Sequence, residues 1–114
     1  MHRREIEFDS QARSLLITDR IFCRGEHLVE GFWHFSEACA LSRNGSVISA
    51  INQQQQLSLT LPQSVDEIFI AHGDEMQPLG WVSRAFDVKT PAPTLGWKKR
   101  IVGDACFVTR IVID

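Results

Sequence analysis

The sequence predicts an all-β domain folded as an antiparallel β-sandwich. Apolar residues recur at every second position in several short runs, turn residues separate these runs, and sustained helical periodicity is missing. Residues 57–61 alternate three leucines with Ser58 and Thr60, a pattern that buries one face of a strand and exposes hydroxyls on the other. Residues 107–113 form the strongest strand candidate, because most of them are β-branched or aromatic. Many short strands with frequent turns are typical of a sandwich.

The first two predicted strands lie on either side of a turn at Arg24-Gly25. Residues 15–22 mix alternation with β-branched types, and residues 27–35 follow directly after the turn. Alternation divides the second of these strands into two faces. One face carries Val29, Gly31, Trp33 and Phe35, with Trp33 pointing inward, and the other carries Leu28, Glu30, Phe32 and His34.

The middle of the chain predicts a hairpin. Asn44-Gly45 separates residues 40–42 from residues 47–49, and both turn residues tolerate a positive φ angle. The glutamines at 53–56 predict a solvated loop that leads into the leucine strand. Residues 68–70 predict a further strand. Only residues 35–41 and 64–69 are compatible with a short turn of helix, and neither has an apolar stripe.

The Pro91-Ala92-Pro93 step predicts a sheet edge or a crossing between sheets. Proline donates no hydrogen bond to a strand ladder, so this step does not fit inside a central strand. Burial is expected for six apolar residues of the later strands: Leu57, Leu59, Leu61, Phe107, Ile111 and Ile113.

Length and composition predict one domain over residues 1–114. Apolar residues make up 44% of the chain and charged residues 23%, which is ordinary for a globular domain. The formal net charge is −2, and the basic residues are scattered except for Arg3-Arg4 and Lys98-Lys99-Arg100, so we expect no nucleic-acid partner. No apolar run approaches the length of a membrane span, so no membrane partner is expected either.

The three cysteines predict neither a metal centre nor a redox centre. Cys23, Cys39 and Cys106 are widely spaced and lack a C-x-x-C arrangement. We interpret them as small, mostly buried apolar residues, with one disulfide bond left open as an alternative. The four histidines also lack metal-ligand spacing, so no metal and no cofactor are expected in this chain.

A long non-repetitive segment, residues 80–93, carries the clearest family signal. Its Gly-Trp pair, its basic residues and its Pro-x-Pro step resemble the "GWYS…FGVK…PAP" segment of heparinase II/III-type polysaccharide lyases. Residues 2–9 resemble that family's "HRR-x-hydrophobic" strand entry, and residues 16–20 its "L-x-I-x-D-x-L" strand. Glu26-His27 and residues 32–35 are similar to its "hydrophobic-Phe-His-hydrophobic" strand. Val82 departs from the pattern, because the family usually has tyrosine there.

The resemblance implies that the chain is the C-terminal β-sandwich of a larger enzyme. Such lyases degrade uronate-containing acidic polysaccharides, such as glycosaminoglycans or alginate, by β-elimination, and they carry an N-terminal helical toroid. The implied partners are therefore the toroid of the same parent chain and the acidic polysaccharide. The resemblance also implies a periplasmic or secreted parent. The family's catalytic tyrosine and histidines lie outside the matching segments, so no catalytic residue is assigned here.

Four residues are candidates for substrate binding: Trp81, Arg84, Lys89 and His34. Sugar C–H faces stack on indole rings, and arginine binds carboxylates with two parallel hydrogen bonds. Trp81 and Arg84 are expected to be at least partly exposed if they serve this role. The structural alternatives are that Trp81 packs in a core or against another domain, and that His34 is a partly buried histidine with a hydrogen-bond partner. The same alternatives apply to Trp97 with Lys98 and Lys99.

A second class of function fits the same pattern. A free-standing carbohydrate-binding or structural β-sandwich needs no catalytic partner, and fold alone does not separate it from a lyase module.

The isolated chain is expected to lack lyase activity. β-Elimination needs a base and an acid placed on the sugar, usually tyrosine and histidine, and this chain contains no tyrosine. Purified protein of residues 1–114 should therefore release no unsaturated uronate from heparin, heparan sulfate or alginate. Product formation by this material, followed by ultraviolet absorbance, would contradict the interpretation.

Overall fold

A computed structural model describes residues 1–53, 55–72, 81–85 and 88–113, with the backbone alone described for residue 72, residues 81–85 and residues 88–91. The described part of the chain is all-β and antiparallel and contains no helix, so the predicted fold class is confirmed. Its strands are β1 (His2–Asp9), β2 (Ser14–Ile21), β3 (Glu26–His34), β4 (Ala40–Asn44), β5 (Val47–Asn52), β6 (Gln55–Thr60), β7 (Glu67–His72), β8 (Trp81–Ala85), β9 (Val88–Pro91), β10 (Pro93–Val102) and β11 (Ala105–Ile113).

The strands form an antiparallel β-sandwich. A six-stranded sheet has the order β1-β2-β11-β6-β5-β4, and a three-stranded sheet has the order β3-β10-β7. β8 and β9 pair as a separate two-stranded hairpin. β7 occupies residues 67–72 and β4 begins at Ala40, so neither residues 64–69 nor residues 35–41 form a helix. Within the second range, only a turn forms, in which the N–H of Cys39 donates to the carbonyl of Ser36 at 3.0 Å.

Two neighbouring connections carry the chain between the large sheets at one corner. Residues 22–25 join β2 to β3, and Gly103-Asp104 joins β10 to β11. The N–H of Gly103 donates to the carbonyl of Gly25 at 2.9 Å, and both glycines have positive φ angles, 75° and 77°. The carboxylate of Asp104 accepts the N–H of Cys23 at 3.0 Å. The corner is therefore held by hydrogen bonds between the two connections.

The core lies between the inner faces of the two large sheets. The most deeply buried apolar cluster consists of Ile48, Leu59, Leu61, Leu95, Trp97, Ile101 and Phe107. Of the six residues expected to be buried, Leu59, Leu61 and Phe107 are buried and Leu57 and Ile111 are partly buried. Ile113 is 37% exposed, so that expectation was wrong. It is the last residue of β11, at the end of the larger sheet.

The indole of Trp97 lies against a glycine at the centre of this core. Gly31 is directly opposite Trp97 in the β3–β10 ladder, and a Cβ atom on Gly31 would stand 2.3 Å from the ring. The same ring contacts Phe107 of the other sheet, with ring centroids 4.7 Å apart. Trp97 is 4% exposed, so it belongs to the core and the structural alternative holds for this residue. Trp33 is partly buried on the same inner face, as alternation predicted.

A glycine–aromatic contact also forms on the outer face of the three-stranded sheet. Phe69 lies over Gly96, its partner in the β7–β10 ladder, and packs edge-on against Phe32 at 6.1 Å between centroids. Phe32 is 38% exposed and Phe69 is partly buried, so this contact is at the surface.

Three local predictions differ from the structure in detail. The β4–β5 hairpin is present, but its two-residue loop is Gly45-Ser46, because Asn44 pairs with Val47 and Gly45 alone takes a positive φ. Gln55 and Gln56 belong to β6, although both are exposed as a solvated run would be. The proline step does mark a crossing, since β9 ends at Pro91 and β10 begins at Pro93. The cysteines are free, but Cys106 is exposed, contrary to the expected burial.

Replacing Gly31 with alanine is expected to destabilise the protein by about 1–3 kcal/mol, because the new methyl group would overlap the buried indole of Trp97, which also contacts Phe107. Urea unfolding of the wild type and the variant measures this loss. Gly96→Ala is the matched control, since Phe69 at the surface can rotate away, and it should cost less. Equal losses for the two variants would contradict the central role of the Trp97–Gly31 contact.

Candidate functional site

Three charged or titratable side chains meet on the inner face of the six-stranded sheet. Alternation places His2 and Arg4 on one face of β1, and the β1–β2 register sets Arg4 opposite Asp19. Nε2 of His2 lies 2.8 Å from Oδ1 of Asp19, and Nε of Arg4 donates to the same oxygen at 2.7 Å. Nη2 of Arg4 donates to Oδ2 at 3.2 Å. We call His2, Arg4 and Asp19 the charged cluster.

The charged cluster holds Asp19 as a carboxylate. Only 9% of the Asp19 side chain is exposed, and this burial would by itself raise its pKa. Hydrogen bonds and charge attraction from Arg4 and His2 together outweigh that effect, so the pKa of Asp19 is lowered. An engaged carboxylate with a lowered pKa is a poor proton acceptor at neutral pH. The cluster is therefore built for structure and positioning rather than for acid–base chemistry.

Aromatic residues surround the charged cluster. The guanidinium carbon of Arg4 lies 5.5 Å from the ring centroid of Trp33, within the range of a cation–π interaction. Next to the cluster is a small cavity of about 110 Å³ whose walls include Trp97, Phe107, Gly31 and Glu30. This volume is well below that of typical small-molecule sites, so the cavity does not hold a sugar ring as it stands.

Sequence reasoning overlooked the charged cluster. Both of the strands that carry it can be recognised in the sequence, but His2 and Asp19 are distant along the chain, so the spacing of the histidines does not predict their contact. The available signal was a charged residue at an inward position: Asp19 alternates with Ile17 and Ile21 in β2. A buried aspartate needs a partner, yet only the β1–β2 register identifies which one.

The four predicted substrate-binding residues are placed by the backbone. Trp81 and Arg84 lie in β8, and Lys89 lies in β9 of the same hairpin. Trp81 pairs with Pro91, shortly before β10 begins. The side chains of these three residues lie outside the described part, so their exposure stays a prediction.

His34 lies on the outer face of the three-stranded sheet. It is opposite Thr94 in the β3–β10 ladder. Thr94 follows shortly after the end of β9 in the chain. Its ring is exposed, and Nδ1 is 3.2 Å from Oγ1 of Thr94. This hydrogen bond matches the structural alternative for His34, although the residue is exposed rather than partly buried.

The described residues contain neither a metal-binding cluster nor a membrane-spanning helix. Over the residues that the structure describes, no group of three or more histidine, cysteine, aspartate or glutamate side chains is arranged to hold a metal ion. The described residues likewise include no helix with the length and apolar character needed to cross a membrane.

Comparison with known proteins adds no relatives. Neither a scan against protein-family models, nor a search of curated proteins, nor a search of solved structures finds a match to this chain.

Removing the charge of Asp19 is expected to destabilise the protein in a pH-dependent way. Asp19→Asn should cost about 1–3 kcal/mol at neutral pH, because charge-assisted hydrogen bonds to Arg4 and His2 are weakened. The folded-state pKa of Asp19 lies below its unfolded value, so its contribution is present above about pH 4 and is lost as the pH falls further. The difference between wild type and variant should therefore shrink in acid. Urea unfolding at pH 7, 5 and 3 measures it.

Asp66→Asn is the matched control for this experiment. The pKa of Asp66 is also lowered, by the backbone N–H of Arg100 and then by Lys99, but this carboxylate is exposed. Its replacement should change stability much less. A loss for Asp19→Asn that is equally large at every pH would contradict the assignment.

Proposed function

We propose that this chain is the C-terminal β-sandwich module of a heparinase II/III-like polysaccharide lyase. One observation carries the proposal. The "HRR" segment and the "L-x-I-x-D" segment are separate in the sequence but lie side by side as β1 and β2, and His2 and Arg4 of the first both contact Asp19 of the second. Residues that resemble one family's motifs thus form one physical unit, which favours a shared origin over chance similarity.

The antiparallel sandwich supports the same proposal, because the resemblance implies that architecture. The module would support the helical toroid and contribute one wall of the substrate groove. In the parent, a base removes the C5 proton of a uronic acid, the electron pair forms the C4–C5 double bond, and the C4–O bond breaks as an acid protonates the leaving oxygen. Cations near the substrate carboxylate stabilise the carbanion during this step.

Arg84 and Lys89 are the residues of this chain proposed to contact the acidic polysaccharide, with Trp81 stacking on a sugar ring. The hairpin formed by β8 and β9 carries all three, and it leads directly into β10, the central strand of the smaller sheet. Residues on such a hairpin would be presented beside His34 at one end of that sheet.

The complete gene product tests the proposal. This protein should contain a helical region rich in tyrosine and histidine ahead of the module. It should also release unsaturated uronate from heparin, heparan sulfate or alginate. Replacing both Arg84 and Lys89 with glutamine should raise KM several-fold, because ground-state contacts to carboxylates are lost. Replacing Arg13 and Arg43 removes the same charge elsewhere and should leave KM within about two-fold. A gene product that binds acidic polysaccharide without cleaving it would instead support the free-standing binding module.

A further inference from the structure

A second concave surface lies on the outer face of the six-stranded sheet, away from the charged cluster. Leu16, Arg110 and Thr60 form one row across three adjacent strands, β2, β11 and β6. Their neighbours Ile17 and Thr109 are buried on the inner face, so this row faces outward. Together with the chain that follows β6, the row borders a cleft of about 490 Å³. That volume is within the range of small-molecule sites.

The walls of this cleft combine an apolar floor with a few polar groups. Leu16, Pro62 and Val108 supply apolar surface, and Val108 is 43% exposed although it lies in mid-strand. Thr60, Gln63 and Arg110 supply hydrogen-bonding groups at its edge, and none of their side chains bonds to another residue that the structure describes. No acidic side chain is among the described residues that border the cleft.

We propose that this cleft binds a carboxylate-bearing sugar ring of an acidic oligosaccharide. The guanidinium of Arg110 presents a planar pair of donors that matches a carboxylate, and no described carboxylate competes for it within the cleft. The C–H face of a pyranose ring would lie on Leu16 and Val108, while Thr60 and Gln63 bind its hydroxyls. The choice of a saccharide rests on the proposed function, whereas the charge of the ligand follows from Arg110.

An adjoining cavity suggests where the next unit of a longer oligosaccharide would bind. It has a volume of about 250 Å³ and shares Cys106 with the first cleft, and Arg20 forms part of its wall. Asp104 also borders this second cavity, where its carboxylate accepts the N–H of Cys23. We therefore place the anionic group at Arg110, since none of the described residues that border that cleft is acidic, and the next sugar unit beside Arg20. Arg110 is four positions along β11 from Cys106, the partner of Arg20, so about 14 Å divides the two arginines along the strands.

The experiment is a titration of isotope-labelled residues 1–114 with an alginate trisaccharide, followed by chemical-shift changes. Shifts are expected at Leu16, Thr60, Val108 and Arg110. Arg110→Gln should weaken binding there about ten-fold or more, because a charge-assisted bidentate contact is lost. Arg43→Gln removes the same charge from β4, on the far edge of the sheet, and should stay within about two-fold of wild type.

A second pair of variants tests the sign of the charge. Val108→Glu places a carboxylate in the cleft and should abolish binding of the trisaccharide. Val102→Glu makes the same change at an 80% exposed position of the other sheet and should have little effect. Equal binding of maltotriose, which is neutral, would overturn the proposal.

The titration tests the Arg110 cleft independently of the proposed lyase function. Absence of shifts around Arg110 would overturn the proposed cleft site whether or not the complete gene product cleaves acidic polysaccharide. Shifts confined to Arg84 and Lys89 would do the same and would leave the lyase proposal standing.

Discussion

The contact of Trp97 with Gly31 on one side and Phe107 on the other determines how the two sheets fit together. The indole belongs to the central strand of the smaller sheet, and it reaches the larger sheet at Phe107. Only glycine at position 31 leaves space for the ring to lie flat against the neighbouring strand. This arrangement fixes the spacing of the sandwich at the point where the small cavity and the charged cluster lie, because Trp97 is part of the same cavity wall as His2 and Asp19.

The charged cluster is the polar counterpart of that contact. A carboxylate this deeply placed would be costly alone, since burial disfavours its ionised form. Arg4 binds it through two nitrogens, and its guanidinium also lies near the ring of Trp33. β1 is an edge strand, so these interactions also fix its position on the sheet.

Much of the fold could be predicted from alternation, and much of the site could not. The inward face of β3 and the strands β6 and β11 can be predicted from the two-residue alternation of apolar and polar side chains, which depends only on neighbouring positions. The burial of Trp97 is harder to predict, because the three basic residues that follow it are typical of a surface, although Leu95 and Ile101 share its face. The charged cluster and the Arg110 cleft depend on which strands pair and in which register. Those pairings join residues far apart in the chain, and no local pattern encodes them.

The position of β11 has a consequence for how the protein reaches this fold. β11 inserts between β2 and β6, and it follows all the other described strands along the chain, whereas its neighbour β2 is the second of them. The larger sheet therefore stays split into two halves until β11 has been synthesised. Pairing strands that are so distant in the chain has a large entropic cost of loop closure. Folding is therefore expected to be slow compared with that of domains built from local contacts. During synthesis, the facing edges of β2 and β6 remain unpaired, and chaperone protection would matter most in that interval.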